Sequence, residues 1–181
     1  GDFDNGIIAH EYGHGISNRL TGGPSQIECL ANLEQMGEGW SDWVTLVTTI
    51  RPGDMQATPR GIGTYIRSQP NDATGFRRYP YSTDMSVNPV TYGWVAATSS
   101  PTQVHPRGEP WAAACWDLYW ALVEKYGYDS DWTNTNSGNG RAIQLVVDGM
   151  KLQPCLPGYI EARDAILMAD KADFGGADTC L

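Results

Sequence analysis

The chain has 181 residues, of which 41% are hydrophobic, and its seven Trp and nine Tyr are enough apolar material for one folded domain. Its net charge of −9 disfavours binding to nucleic acid or to an anionic membrane, because both surfaces would repel it. The longest apolar stretch, near residues 43–50, is too short and too rich in threonine to span a bilayer.

The first predicted element is a helix from about Asn5 into Arg19 or Leu20, which the turn sequence of residues 21–24 ends. Glycine weakens a helix by roughly 1 kcal/mol relative to alanine. The glycines at positions 13 and 15 are therefore easier to explain if something large, such as a metal site or a second helix, must approach this helix closely.

This helix contains His10-Glu11-Tyr-Gly-His14, an H-E-x-x-H pattern. Residues four apart lie on one face of a helix, so both imidazoles can bind a single metal ion. Glu11 lies next to the first ligand, where it can act as a general base toward a metal-activated water. The pattern is typical of zinc peptidases, although five letters also occur by chance.

A second helix is predicted from near Leu30 to Ile50, with a capping box at Ser25–Glu28. It carries Glu34, Glu38 and Asp42 at intervals of four residues, so the three carboxylates share one side. On pattern alone, this side could equally be a solvated helix face.

Catalytic zinc needs a third protein ligand. The pattern in which a further histidine follows at once is excluded, because Ser17 and Leu20 occupy the positions that need glycine and histidine. Glu38, 24 residues after His14, is the predicted third ligand. Asp42, one turn later, can accept the free N–H of a liganding imidazole.

The remaining sequence predicts long loops and then further helices. Residues 51–110 are rich in Gly, Pro, Asn and Ser and predict irregular structure with short helical pieces. Apolar residues at helical spacing then follow from Trp111 to Tyr126 and from Ile143 to Met150, and a last helix is predicted from Gly158 to Ala169. Strand signals are weak, so the architecture is predicted to be mainly α.

His105 is the one histidine outside the first helix. A lone histidine is usually structural or simply exposed. In a zinc peptidase, however, the oxyanion of the transition state needs a donor besides the metal, and His105 is the histidine left for that role.

The four cysteines form no C-x-x-C pair, and with so few lysines they suit an oxidising compartment. Three disulfide pairings are formally possible. We favour Cys155–Cys180, which would join the flanks of the last predicted helix, and consequently Cys29–Cys115. Four reduced, buried thiols are the alternative.

Several motifs in one order resemble the fungalysin family of secreted metallopeptidases, which are thermolysin-like gluzincins. They cover nearly the whole chain and are far more specific than H-E-x-x-H alone. They are His10–Pro24, Met36–Asp42, Arg78–Met85 with Asn88-Pro89, Val104-His105, Asp148–Cys155, Ala162–Ile166 and Phe174–Ala177 with Cys180.

The resemblance implies a zinc-dependent endopeptidase with a mainly α, zincin-like fold, similar to the helical lower lobe of thermolysin with its H-E-x-x-H helix. It implies secretion, one catalytic Zn2+, protein or peptide substrates, and a zymogen whose own propeptide is the inhibitor. Position by position, it implies the following roles: His10, His14 and Glu38 as zinc ligands, Glu11 as base, His105 as transition-state donor and Asp42 as the acid behind a ligand.

By analogy with thermolysin, Arg77 or Arg78 is expected to hold the substrate carbonyl. Thermolysin-like enzymes orient the donor histidine with an upstream aspartate, but residues 99–103 contain none, and whether Glu109 substitutes is open. We expect a monomer. Calcium has no support in the sequence, although acidic loops such as Asp129–Asp131 occur.

Residues 1–181 are expected to form a single catalytic lobe of a longer chain. The family's upstream β-rich lobe, which aligns the substrate backbone, is not in this sequence, so activity is not expected of the segment alone. Two other classes compete with the peptidase. A non-catalytic zinc-stabilised module would need the ligands but neither Glu11 nor His105, and a thiol enzyme would need a cysteine beside a histidine in space.

Overall fold

The computed structural model describes residues 2–34, 36–97 and 103–181, and in those ranges it contains six helices and no regular strand. The helices are α1 (Asn5–Leu20), α2 (Met36–Thr48), α3 (Tyr92–Ala97), α4 (Val104–Tyr126), α5 (Gly138–Leu152) and α6 (Tyr159–Phe174). The prediction of a mainly α architecture is confirmed. Within the same ranges, every helix is too short or too polar to traverse a lipid bilayer.

The chain divides into two compact units. The first unit comprises the N-terminal stretch up to Ser17 together with Leu33–Trp116, and the second comprises Asn18–Asn32 and Asp117–Leu181. That residues 1–181 act as one catalytic lobe stays a prediction.

The core of the first unit is built from tryptophans of α2 and α4. Trp40 and Trp111 pack edge to face, with ring centroids 5.0 Å apart. Trp43 is buried and donates its indole N–H to the carbonyl of Cys115 over 3.1 Å. Buried aromatic pairs add about 0.5–1.5 kcal/mol beyond the area they bury, so this cluster joins the two helices firmly.

The second unit is built on α5 and α6. The helices pass closely at Gly149, where an added Cβ would lie 2.7 Å from a side-chain carbon of Ile166. Ser137 caps α5 by accepting the N–H of Gly140. At the start of α6, the N–H of Gly158 donates to the carboxylate of Glu161 over 3.0 Å.

Helix α1 has the predicted bounds. It begins after Asp4, whose Oδ1 accepts the N–H groups of Gly6 and Ile7 at 2.8 and 3.1 Å. Such an N-cap satisfies donors that the first turn of a helix otherwise leaves open.

Helix α2 is shorter than predicted, and the capping box at Ser25–Glu28 is wrong. This segment forms successive turns, and its end is held by contacts within the second unit. Leu156 donates its N–H to the carbonyl of Cys29 over 2.8 Å, and the Asn32 side chain donates to the carbonyl of Pro157. The first contact occupies a backbone carbonyl that a helix would use, and the second holds the chain to the segment after Cys155, so this segment is not helical and α2 begins only at Met36.

The predicted disulfide pairing is also wrong. The structure joins Cys29 to Cys155, with their Cα atoms 4.5 Å apart. Cys115 is buried as a thiol in α4, and Cys180 is an exposed thiol. The pairing Cys155–Cys180 would require the flanks of α6 to meet. A helix of 16 residues is about 24 Å long, far beyond the span of a disulfide.

Among the described residues of 51–110, the predicted loops with short helical pieces are confirmed, but the loop region ends earlier than predicted. Helix α4 begins at Val104 rather than at Trp111 and contains Pro110. The sequence pattern places a helix start after a proline, since proline has no N–H to donate within a helix. Here the preceding turn is helical as well, and it carries His105. Helix α6 continues five residues past the predicted Ala169, to a left-handed Gly175 with φ of 68°.

Candidate metal centre

Helices α1 and α2 pass each other at a glycine. An added Cβ at Gly13 would lie 2.7 Å from the Cα of Ser41, closer than any real contact of that kind. The close approach expected from this glycine is therefore present, and its partner is the helix that carries Glu38 and Asp42.

The three predicted ligands converge at this crossing. His14 Nε2 lies 3.2 Å from His10 Nε2, and His10 Nε2 lies 3.2 Å from Glu38 Oε2. His14 Nε2 and Glu38 Oε1 are 3.8 Å apart. One nitrogen or oxygen from each residue lies within 4.8 Å of the others, a set that could hold a metal ion.

The donor set fits a small divalent cation. Asp42 Oδ1 accepts the Nδ1–H of His10 over 2.8 Å, which directs Nε2 of that ring toward the centre. Glu38 Oε2 is buried, and among the described residues no hydrogen bond of acceptable geometry satisfies it, although His10 Nε2 lies 3.2 Å away. Two imidazole nitrogens and one carboxylate form a typical zinc ligand set that leaves a position open.

The protonation of the ligands follows from their surroundings. Burial alone would lower the pKa of His10, but the carboxylates of Asp42 and Glu38 outweigh it and raise that pKa to about 9. The carboxylates that would favour a cation at this site therefore also favour the protonated form of His10. Burial lowers the pKa of His14. Burial opposes ionisation of Glu38, yet the neighbouring histidines lower its pKa.

Asp42 is held by more than the histidine. Arg77 donates to both of its oxygens, from Nε to Oδ2 over 2.5 Å and from Nη2 to Oδ1 over 2.7 Å. The hydroxyl of Tyr81 donates to Oδ2 over 2.5 Å. Burial would raise the pKa of Asp42, but the Arg77 guanidinium and the hydrogen bonds hold it well below its usual range. The Asp42 carboxylate is therefore ionised, and each of its oxygens accepts two hydrogen bonds.

His105 reaches the same centre because α2 and α4 also pass at glycines. An added Cβ at Gly39 would lie 2.5 Å from the carbonyl oxygen of Gly108. This approach leaves His105 Nε2 3.4 Å from Glu38 Oε2, with 54% of the His105 side chain exposed.

The acid that orients His105 was left open by the sequence. Among the described residues no ion pair links His105 to Glu109, which is buried and 4% exposed. Burial and the nearby charge of Asp42, against Arg77, raise the pKa of Glu109 to about 7. The upstream stretch 99–102, where thermolysin-like enzymes have an aspartate, lies outside the described residues.

A cleft of about 440 Å³ opens beside the centre. Glu11 is exposed at its wall, and the charged or titratable residues that line it are His10, Glu11, Arg77, Arg78, His105 and Glu109. Arg78 stacks over the ring of Trp94 at 4.6 Å, whereas Arg77 is bound by Asp42. The structure thus brings together all the predicted site residues, and it separates the two arginines by their partners.

Sequence reasoning missed Tyr81. The sequence placed it within the Arg78–Met85 motif but gave it no role. It lies 39 residues from Asp42 in a segment without helical or strand periodicity, so no spacing rule relates the two.

The whole chain, residues 1–181, matches the family described as Fungalysin metallopeptidase (M36). It is 44% identical to an extracellular metalloproteinase of Aspergillus fumigatus over 99% of this chain and 29% of that protein. It is 45% identical to one of Pyricularia oryzae, over 97% of this chain and 28% of that protein. It is 43% identical to extracellular metalloproteinase 4 of Trichophyton soudanense, over 99% of this chain and 47% of that protein. The chain spans less than half the length of each of these relatives, and it belongs to the fungalysin metallopeptidase family.

Proposed function

We propose that this chain supplies the zinc ligands, the general base and the transition-state donor of a secreted zinc endopeptidase that hydrolyses extracellular proteins. The observation that carries the proposal is the convergence of His10, His14 and Glu38 at a helix crossing, with Asp42 directing His10. Fungalysin metallopeptidases are zinc enzymes, and the relatives are named extracellular metalloproteinases.

Zinc, when bound, supplies a Lewis acid that polarises the scissile carbonyl and makes water a better nucleophile at neutral pH. Glu11 follows His10 directly on α1 and opens onto the cleft. Its carboxylate accepts the proton of the attacking water and delivers that proton to the leaving amine nitrogen. No covalent intermediate with the protein is needed.

His105 stabilises the charge that develops on the scissile carbonyl oxygen. Its ring lies at the cleft wall, half exposed, and its Nε2 is already within 3.4 Å of a ligand oxygen. An N–H donor at this place supports the oxyanion, and loss of one such donor typically lowers the rate by about 10²–10³-fold.

Arg77 and Arg78 line the same cleft. We assign the binding of the substrate carbonyl to one of these two arginines.

The full-length enzyme is proposed to act as a monomer on protein or peptide substrates. A propeptide of the same protein is proposed as its inhibitor. The active form is expected to be the full-length protein, because this chain covers 28–47% of the relatives that it matches.

Replacing the base tests the function. In full-length protein, Glu11→Gln should retain one zinc per molecule by mass spectrometry and lower casein hydrolysis by about 10²–10⁴-fold. Glu38→Gln should instead lose zinc, because two imidazoles alone do not hold it. Glu124→Gln, an exposed acid on α4, is the matched control and should change neither quantity.

Wild-type hydrolysis by Glu11→Gln would contradict the assigned base. Zinc binding by the wild-type protein without any chelator-sensitive hydrolysis would favour a non-catalytic zinc-stabilised module instead.

A further inference from the structure

The carboxylate of Asp42 has two oxygens, and each accepts two hydrogen bonds. Oδ1 accepts from His10 Nδ1 and Arg77 Nη2, and Oδ2 accepts from Arg77 Nε and the Tyr81 hydroxyl. Asp42 is 1% exposed. The orientation of this group is therefore set by protein atoms alone, and the residue that it holds in turn is His10.

We propose that Tyr81 is a positioning residue of the zinc centre. Its hydroxyl fixes Oδ2 of Asp42, the oxygen that His10 does not contact, and so prevents the carboxylate from rotating away from the His10 ring. This inference rests on the proposed function, since it concerns the same metal site. Tyr81 acts through Asp42 and is not itself one of the three ligands.

Tyr81 is held rigidly enough to act in this way. Its backbone pairs with that of Arg60 in both directions, with Tyr81 N–H to Arg60 O at 2.7 Å and Arg60 N–H to Tyr81 O at 2.9 Å. The residue is 1% exposed. Two backbone bonds thus fix the ring at its root, and the third bond, from the hydroxyl, reaches Asp42.

The hydroxyl remains a donor at every pH at which the enzyme could work. Burial and the adjacent Asp42 carboxylate raise the pKa of Tyr81 well above 10. Because the phenol is neutral, its removal changes no charge in the cluster. Of the two hydrogen bonds that Oδ2 accepts, the one from Arg77 Nε would then remain.

A substitution at Tyr81 can distinguish an effect on the position of the metal ligands from an effect on substrate binding, whereas a substitution at Arg77 cannot. Arg77 lines the cleft and is a candidate for the substrate carbonyl, so its replacement would affect both. The described residues that line the cleft do not include Tyr81. A change at Tyr81 should therefore act on zinc affinity and kcat and leave KM nearly unchanged.

The test is Tyr81→Phe in full-length protein, with Tyr119→Phe as the control. Both tyrosines are 1% exposed, but Tyr119 lies on the part of α4 that belongs to the second unit. Zinc affinity is measured by competition with a chelating indicator, and the geometry of the site by the visible spectrum of the Co2+-substituted protein. Melting of the metal-free proteins reports any general loss of stability.

Replacing a residue that hydrogen-bonds to a metal ligand typically lowers metal affinity or activity by about 10–100-fold. We expect Tyr81→Phe to weaken zinc binding by roughly tenfold, to lower kcat with KM within about twofold, and to alter the Co2+ spectrum. Tyr119→Phe should match the wild type in all three measurements.

If Tyr81→Phe bound zinc like the wild type with the same Co2+ spectrum, Tyr81 would be a packing residue and this inference would fall alone. A lower melting temperature with unchanged zinc affinity would lead to the same conclusion. Failure of the wild-type protein itself to bind zinc would overturn the proposed function as well, so the two failures are distinguishable.

Discussion

The two compact units both bury acidic side chains, but they use them differently. In the first unit, Asp42 is 1% exposed and accepts hydrogen bonds from three side chains, one of which is a candidate zinc ligand. In the second unit, Asp178 accepts from Lys125, Tyr126 and Arg141, and the Lys125 side chain is 41% exposed.

We therefore expect the network around Asp42 to set the geometry of the candidate metal centre, and the stability of the second unit to depend on other interactions. Burying an ion pair costs desolvation energy that its own attraction barely offsets, so such a pair contributes more to geometry than to stability. The network around Asp42 orients a ring, whereas the second unit relies on a disulfide, capped helices and close helix packing. Changes in the first unit should alter metal affinity most, and changes in the second should alter the free energy of unfolding.

The largest effect on unfolding is expected from the disulfide. Cys29 and Cys155 are separated by 126 residues, so their bond removes much freedom from the unfolded chain. Cys29→Ser with Cys155→Ser should lower the free energy of unfolding by about 2–5 kcal/mol in urea titrations, with little change in zinc affinity. Cys180→Ser, at an exposed thiol, is the control. A double variant as stable as the wild type would contradict the observed pairing.

A smaller and pH-dependent effect is expected in the first unit. The pKa of His10 is raised from 6.5 to about 9. Protonated His10 therefore stabilises the folded, metal-free protein fully below pH 6.5, and this contribution to the free energy of unfolding is lost as the pH rises through 9. The loss should reach about 3 kcal/mol, from 1.36 kcal/mol per pKa unit. Zinc must displace the same proton, so zinc affinity should rise over this window.

Urea unfolding of metal-free protein at pH 6 and pH 9.5 measures this effect. His10→Gln should lose that part of the pH dependence. If the variant and the wild type changed equally with pH, His10 would not be the group that titrates.

The smallest expected effects come from two serines. One of them caps a helix in the structure, and the other was wrongly predicted to stand at a helix start. Ser137 caps α5, so Ser137→Ala should lower the free energy of unfolding by about 1 kcal/mol. Ser25, which the sequence pattern assigned to a capping box, is exposed in a turn. Ser25→Ala should therefore change stability by less than about 0.5 kcal/mol. Equal losses in the two variants would restore the cap at Ser25.

Local pattern was sufficient for the parts of the fold that depend on local chemistry. The end of α1 follows from the glycine-rich turn sequence at residues 21–24, and the shared faces of His10 with His14 and of Glu38 with Asp42 follow from helical geometry. The face shared by Glu38 and Asp42 was correct because residues four apart on a helix point the same way.

The rest depended on contacts between distant residues. Ser25–Glu28 carries a sound local signal for a helix start, but a backbone hydrogen bond, a side-chain hydrogen bond from Asn32 and a disulfide to the segment near Cys155 override it. The bond from Tyr81 to Asp42 crosses 39 residues, and no periodicity encodes such a distance. The early start of α4 was missed because Pro110 resembles a boundary when it is read without its tertiary surroundings.

The glycine pair at Gly39 and Gly108 has a consequence for how variants of this protein could arise. The backbones there are so close that even a methyl group at position 39 would lie 2.5 Å from the carbonyl oxygen of Gly108. An added Cβ normally stays 3.4–4 Å from such neighbours, so alanine would force one of the two backbones to shift. That shift would carry His105 away from Glu38, so an enzyme could lose its rate through a substitution that alters no reactive group.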